Sequence, residues 1–200
     1  MRIRIIILSL LMMSGVVSFS QEVDLASQFE QELRFKNEDV VTIKCDFIQT
    51  REMSVIEMNV VKEGEFFFQR PSNMLLSFND GDYIKMSETI FEMKTAGDVA
   101  STSISSNPML KNLSSILSAC VVGDFKQMSK GFEVELRPTE TEWQVTMTPK
   151  RGKSASKISQ ITLYFDRNDM SLNMLKMDEK SGDFTMYEFS NKEFNVKGNL

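Results

Sequence analysis

The chain has 200 residues, a net charge of −5, two cysteines and no histidine. An acidic balance argues against a nucleic-acid binder, which needs a basic footprint. The lack of histidine removes the commonest general base, the Ser–His and Cys–His nucleophile pairs and most zinc sites, so no enzyme, metal or cofactor is expected.

Met1–Ser20 reads as a secretory signal peptide. Arg2 and Arg4 give a positive start, Ile5–Met13 an apolar run too short to span a bilayer, and Ser18 and Ser20 the small residues before cleavage at Gln21. No cysteine stands near that point, so the product is expected to be unlipidated and periplasmic, with residues 21–200 as a single domain. Without Arg2 and Arg4 the balance is 21 basic residues against 28 acidic, a net charge of −7. Of 15 Met and 15 Phe, 12 and 14 remain. Methionine is soft and adaptable, suited to variable apolar partners, although an ordinary core is the plainer reading of the count alone.

Val23–Lys36 predicts a helix, with Leu25, Phe29 and Leu33 on one face. From Val40 the period becomes two, with Val41, Ile43, Cys45, Phe47 and Gln49 sharing a face. Strands follow at Val55–Val61, Glu63–Gln69, Met74–Asn79, Tyr83–Ser87 and Thr89–Lys94. The segment Gly64–Phe78 is the most informative. Phe66, Phe68, Arg70, Met74, Leu76 and Phe78 alternate onto one face, and Arg70-Pro71-Ser72-Asn73 forms the turn between two strands. An inward guanidinium among Phe and Met side chains needs acceptors, and none lies within the stretch.

Ser101–Ser106 reads as a polar loop. Asn107 and Pro108 then suit the N-cap and first position of a helix, with Leu110, Leu113, Leu117 and Cys120 on one face and Gly123 closing it. That helix either plugs an open sheet edge or acts as a movable lid; the pattern favours neither. Strands resume at Phe132–Arg137, Glu142–Pro149, Ile158–Asp166, Ser171–Met177 and Phe184–Ser190, with Ile161, Leu163 and Phe165 inward. About ten antiparallel strands predict a mainly β fold, curved or barrel-like, with helical additions.

Cys45 and Cys120 both fall on inward faces. A disulfide between them would contribute about 4 kcal/mol by closing a long loop; two buried thiols are the alternative. Free thiols are expected, because a covalent tie would oppose any movement of the helix. Lys150, Arg151, Lys153 and Lys157 form a basic loop, read as a solvated hairpin tip before a docking patch.

Several pieces together resemble the periplasmic outer-membrane lipoprotein carrier family, LolA. They are Asp46-Phe47-Ile48-Gln49 after the N-terminal helix, Gly64 followed by Phe66-Phe67-Phe68-Gln69-Arg70-Pro71, Met147-Thr148-Pro149-Lys150, and the closing strands from Ile158. The chain departs from that family in Met74 and Leu76, where aromatics are common, and in its two cysteines. The resemblance implies an incompletely closed antiparallel β-barrel with a helical lid over an apolar cavity. It implies acyl chains bound by Phe47, Phe66, Phe68, Met74, Leu76, Phe78, Leu163 and Phe165, beneath lid residues Leu110, Leu113 and Leu117. Arg70 and Pro71 would stand at the latch, with Arg70 bonded to lid carbonyls. The implied partners are acylated lipoproteins, an inner-membrane lipoprotein-releasing ABC transporter and an outer-membrane acceptor, served by a monomer. The alternative is a periplasmic binding module for another lipid or amphiphile on the same scaffold.

Overall fold

The computed structural model describes residues 24–106, 108–124, 126, 129–150 and 157–198, with the side chains of residues 56 and 108–113 outside that description. The expected signal peptide, the Asn107 cap, the inward faces of Leu110 and Leu113, and Arg151 and Lys153 of the basic loop therefore lie outside the described residues.

Helix α1 spans Leu25–Asn37. Asp24 caps it, Oδ1 accepting from the Ala26 amide at 3.1 Å and Oδ2 from the Ser27 hydroxyl at 2.6 Å. These bonds hold the Asp24 carboxyl below the usual carboxylate range. The chain then enters β1 (Thr42–Met53), β2 (Met58–Gln69), β3 (Asn73–Phe78), β4 (Tyr83–Met86), β5 (Ile90–Thr95) and β6 (Asp98–Ser103). Helix α2 (Pro108–Val122) leads to β7 (Phe132–Pro138), β8 (Glu142–Pro149), β9 (Ile158–Asp166), β10 (Leu172–Glu179) and β11 (Phe184–Phe194).

All eleven strands form one antiparallel sheet in the order β6-β5-β4-β3-β2-β1-β11-β10-β9-β8-β7. Two meanders are joined where β1 pairs with β11, and α2 connects the two outermost strands. Among the described residues β6 and β7 do not pair with each other, so the sheet stays open. The expected incompletely closed β fold with helical additions is borne out.

Two expectations for the elements are corrected. Val55–Val61 and Glu63–Gln69 are not separate strands: β2 runs unbroken from Met58, paired with β1 over its whole length, and the chain reverses at residues 54–57. Ser101–Ser106 is not wholly a loop. Asp98–Ser103 is strand β6, turned back from β5 through Ala96 and Gly97, both at positive φ (52° and 93°). That two-residue geometry matches the twist of a hairpin and fixes the strand without any apolar pattern.

The alternation places two apolar clusters along one face of the sheet. One lies under α1, where Phe29 and Leu33 meet Trp143, Val145, Met147, Leu163 and Phe165. The other gathers Ile43, Cys45, Phe47, Phe66, Phe68, Met74, Leu76 and Phe78. Leu117 of α2 and Tyr187 and Phe189 of β11 pack against both. Gly64 has a steric reason: a Cβ there would lie 2.0 Å from the Ser77 carbonyl oxygen and 3.0 Å from the Phe47 ring.

Candidate functional site

Beneath α2 the second cluster does not fill its space. A cavity of about 140 Å³ remains, walled by Phe66 of β2, Leu76 of β3, Ile84 and Met86 of β4, and Phe91 of β5. Leu175, Met177, Tyr187 and Phe189 complete the far wall from β10 and β11, and Leu117 reaches it from α2. The only polar side-chain atom among these residues is the Tyr187 hydroxyl, which accepts from Gln49 Nε2 at 2.6 Å. Burial pushes the Tyr187 phenol up, so it stays neutral. A lining of this kind suits an apolar ligand and has no means of fixing a charged one.

Of the residues singled out from the sequence, the structure brings Phe66, Leu76 and Leu117 to this cavity. Phe47, Phe68, Met74 and Phe78 are buried behind it in the packed part of the same cluster, with the Phe47 and Phe78 rings edge to face at 5.2 Å. Leu163 and Phe165 belong to the cluster under α1, Phe165 lying edge-on to Phe29 at 5.2 Å. The lining residues that had not been singled out come from strands read correctly. Ile84 and Met86, Leu175 and Met177, and Tyr187 and Phe189 are each two apart, so the period-two signal could have found them.

A second, smaller space of about 40 Å³ adjoins the first and shares Phe66 and Phe189 with it. These two rings stand 5.4 Å apart. Cys45, Cys120 and Lys192 line this space. Both cysteines are free and buried, and desolvation raises both thiols, Cys45 to about 12. Lys192 Nζ donates to Ser171 Oγ at 2.8 Å and to Asn173 Oδ1. Desolvation pulls its ammonium below the usual lysine range, opposed chiefly by Asp169 and also by Asp166 and Glu142.

Arg70 follows β2 directly, and its acceptors are not where they were expected. Nε donates to the Val40 carbonyl and Nη2 to the Asn37 carbonyl, while its amide donates to Val41 O at 2.9 Å. The guanidinium thus sits at the carboxyl end of α1 rather than of α2. The physical argument is unchanged, since terminal helix carbonyls lack intrahelical partners and favour a cation. Only the helix differs. α1 in turn meets the end of α2: a Cβ on Gly123 (φ 80°) would lie 2.8 Å from the Arg34 Cα. Gly123 also donates its amide to Ala119 O at 2.9 Å, closing α2.

An open antiparallel sheet with a helix laid over an apolar cavity is the architecture of a binding protein for apolar groups. This chain belongs to the outer membrane lipoprotein carrier protein LolA family, whose profile matches residues 38–199. No curated protein sequence matches it. Its fold is similar to that of a LolA superfamily protein from Nitrosomonas europaea, at 7% identity over 86% of this chain and 94% of that one, with a TM-score of 0.43. It is also similar to the lipoprotein LppX of Mycobacterium tuberculosis (11% identity, 87% and 97% covered, TM-score 0.45). LprF from Mycobacterium bovis is a third (13% identity, 87% and 94% covered, TM-score 0.42). No helix among the described residues is long and apolar enough to cross a membrane.

Proposed function

We propose that this protein is a non-catalytic carrier that holds the acyl chains of lipoproteins beneath α2 and ferries them from the inner to the outer membrane. The reading takes residues 1–20 as an export signal, residues 21–200 as one carrier domain, and the periplasm as the place of work. An inner-membrane ABC transporter would load it and an outer-membrane acceptor would unload it. The observation that carries the reading is the cavity of about 140 Å³ with an almost wholly apolar wall, in a chain of the lipoprotein carrier family.

That volume is close to the roughly 150 Å³ cavity that takes up benzene in another protein. An acyl chain of sixteen carbons needs more room, so loading requires α2 to lift or the Phe66–Phe189 pair to part. Arg70 acts as the latch through α1: it holds the carbonyl end of α1, α1 abuts Gly123, and Gly123 ends the helix that must move. Lifting α2 strains this chain of contacts, and their recovery favours release.

The direct test is equilibrium titration with a fluorescent C16 fatty acid. Leu76→Trp, which fills the cavity from β3, should weaken binding at least tenfold, whereas Leu163→Met, in the cluster under α1, should leave it unchanged. Equal affinities for wild type and Leu76→Trp would remove the cavity from the mechanism.

A further inference from the structure

The two open edges of the sheet are built differently. Along β7 the amide of Thr139 donates to Glu142 O at 2.8 Å and that of Lys150 to Gly131 O at 3.1 Å. Antiparallel alternation then turns the backbone groups of Phe132, Val134, Leu136 and Pro138 away from β8. Pro138 has no N–H to offer there, and Glu133, Glu135 and Arg137 lie exposed beside it. Charged side chains and an edge proline are the usual means of blocking strand addition.

The β6 edge lacks both. The Ile104 amide donates to Thr89 O at 2.9 Å, so Asp98, Ala100 and Thr102 face β5, while Val99, Ser101 and Ser103 present backbone groups to the open side. The Ser103 carbonyl is taken by Ser106 Oγ at 2.7 Å. Among the described residues, no hydrogen bond takes up the amides of Val99, Ser101 and Ser103 or the carbonyls of Val99 and Ser101 on that edge. All six residues of β6 are exposed, and the strand holds no proline, no lysine and no register shift against β5. Its tip is also fixed: Asp82 Oδ1 accepts from the Ala96 amide at 2.9 Å, and Lys62 Nζ bonds Asp82 Oδ2 at 2.7 Å. The edge is pre-formed.

We infer that the open edge of β6 is a docking site for an extended polypeptide segment, namely the stretch next to the acylated residue of the cargo, which adds as a twelfth strand. The inference rests on the carrier reading above. What ties the edge to that occupant is its nearness to the cavity. Phe91 of β5 is a cavity wall, and its register partner on β6 is Thr102. Strands lie about 4.8 Å apart, so an added strand would run about 10 Å from β5. A chain held by its acyl group against Phe91 spans that distance in about three residues. On the same face Thr102 stands opposite Phe91, and one pair further along are Met93, 38% exposed, and the small Ala100, so no bulky side chain of β6 separates the cavity from the edge. Main-chain bonds supply affinity without reading a sequence, which suits a carrier of many polypeptides.

The test compares palmitate with an N-palmitoyl decapeptide of Ser, Thr and Val on the full-length exported protein. The peptide should bind at least about tenfold tighter than palmitate, since each main-chain bond is worth roughly a few-fold in affinity. Two isomeric peptides, N-methylated at alternate residues, carry the geometry. One set should lose the gain and the other keep it, because only alternate amides of an added strand face β6. Ser101→Pro should abolish the gain while leaving palmitate affinity unchanged. Palmitate binding with no gain from the peptide, or equal loss with both methylated isomers, overturns the edge site. So does an edge that serves only to pair two copies, seen as a dimer abolished by Ser101→Pro with no peptide effect. Failure of palmitate itself to bind would defeat the carrier reading, and this inference with it.

Discussion

The two apolar clusters lie on one face of one sheet and draw on the same kinds of residue, yet the first is solid around Phe29 while a hollow remains where Leu175 of the first faces Phe66 and Leu76 of the second. Under α1, Trp143, Val145, Met147, Leu163 and Phe165 are fully buried, and Phe29 enters edge-on between the Trp143 and Phe165 rings at 5.5 and 5.2 Å. From α2, Leu117 reaches the cavity wall, while Ile116, Ala119 and Cys120 of the same helix pack into the first cluster. The side chains that reach each site decide the outcome. Phe29 and Ile116 together complete a close-packed interior, while the site that Leu117 reaches keeps a space that an apolar guest can take.

The sharpest way to break this contrast is truncation. Phe165→Ala should destabilise by about 3–5 kcal/mol in urea unfolding, because its void is enclosed by packed neighbours. Leu117→Ala borders existing space and should cost less, about 2 kcal/mol, the low end for such a truncation. Similar costs for the two would mean that both halves are equally filled.

The second test asks whether the solid half governs the hollow one. Arg70→Leu removes the guanidinium bonds to the Asn37 carbonyl at the end of α1 and to the Val40 carbonyl just beyond it, and should cost about 1–3 kcal/mol. In a two-step transfer assay with a labelled lipoprotein, loading should persist and release to the acceptor should slow. Arg70→Lys should fall between, since a point charge cannot reproduce the planar fork. Unchanged release in Arg70→Leu would separate the latch from the function.

The smallest effect is at the seam. Cys45 is protonated more firmly in the folded chain than in the unfolded one, being raised from 9.0 to about 12. Its contribution to stability is therefore complete below pH 9 and declines as pH rises from 9 towards 12, where the unfolded chain releases its proton first. Cys45→Ala should flatten that alkaline decline. Iodoacetamide at neutral pH should leave the native protein unlabelled, and denaturation without reductant should admit two labels. A single disulfide-linked species would show instead that α2 is tied to β1.

Much of the sheet was legible because β3 and β8, and β1 from Ile43 to Phe47, bury alternate side chains, and the period is local information. β6 was not, since Asp-Val-Ala-Ser-Thr-Ser buries nothing and is a strand only through its pairing with β5. The split of β2 was misread because the polar Asn59, Lys62 and Glu63 hid a continuous pairing with β1. At the site, alternation told which residues point inward but not whether anything meets them. Phe165 and Leu76 have the same local pattern, and only the position of Phe29, more than a hundred residues from Phe165 in sequence, separates a filled site from an empty one. Arg70 was recognised as needing acceptors, while which helix supplied them depended on tertiary placement.

The single tryptophan gives the chain a built-in optical gauge. Trp143 is wholly buried, and its indole Nε1 donates to Glu32 Oε2 of α1 at 3.0 Å, while the Arg167 guanidinium lies over the ring. The fluorophore therefore reports on the seating of α1 and not on the cavity's contents. Cargo uptake that moves only α2 would leave its emission blue and its quenching by iodide low. An emission that reddens on loading would mean that α1 had lifted from the sheet as well, so one wavelength distinguishes a lid that swings alone from a pair of helices that leave together.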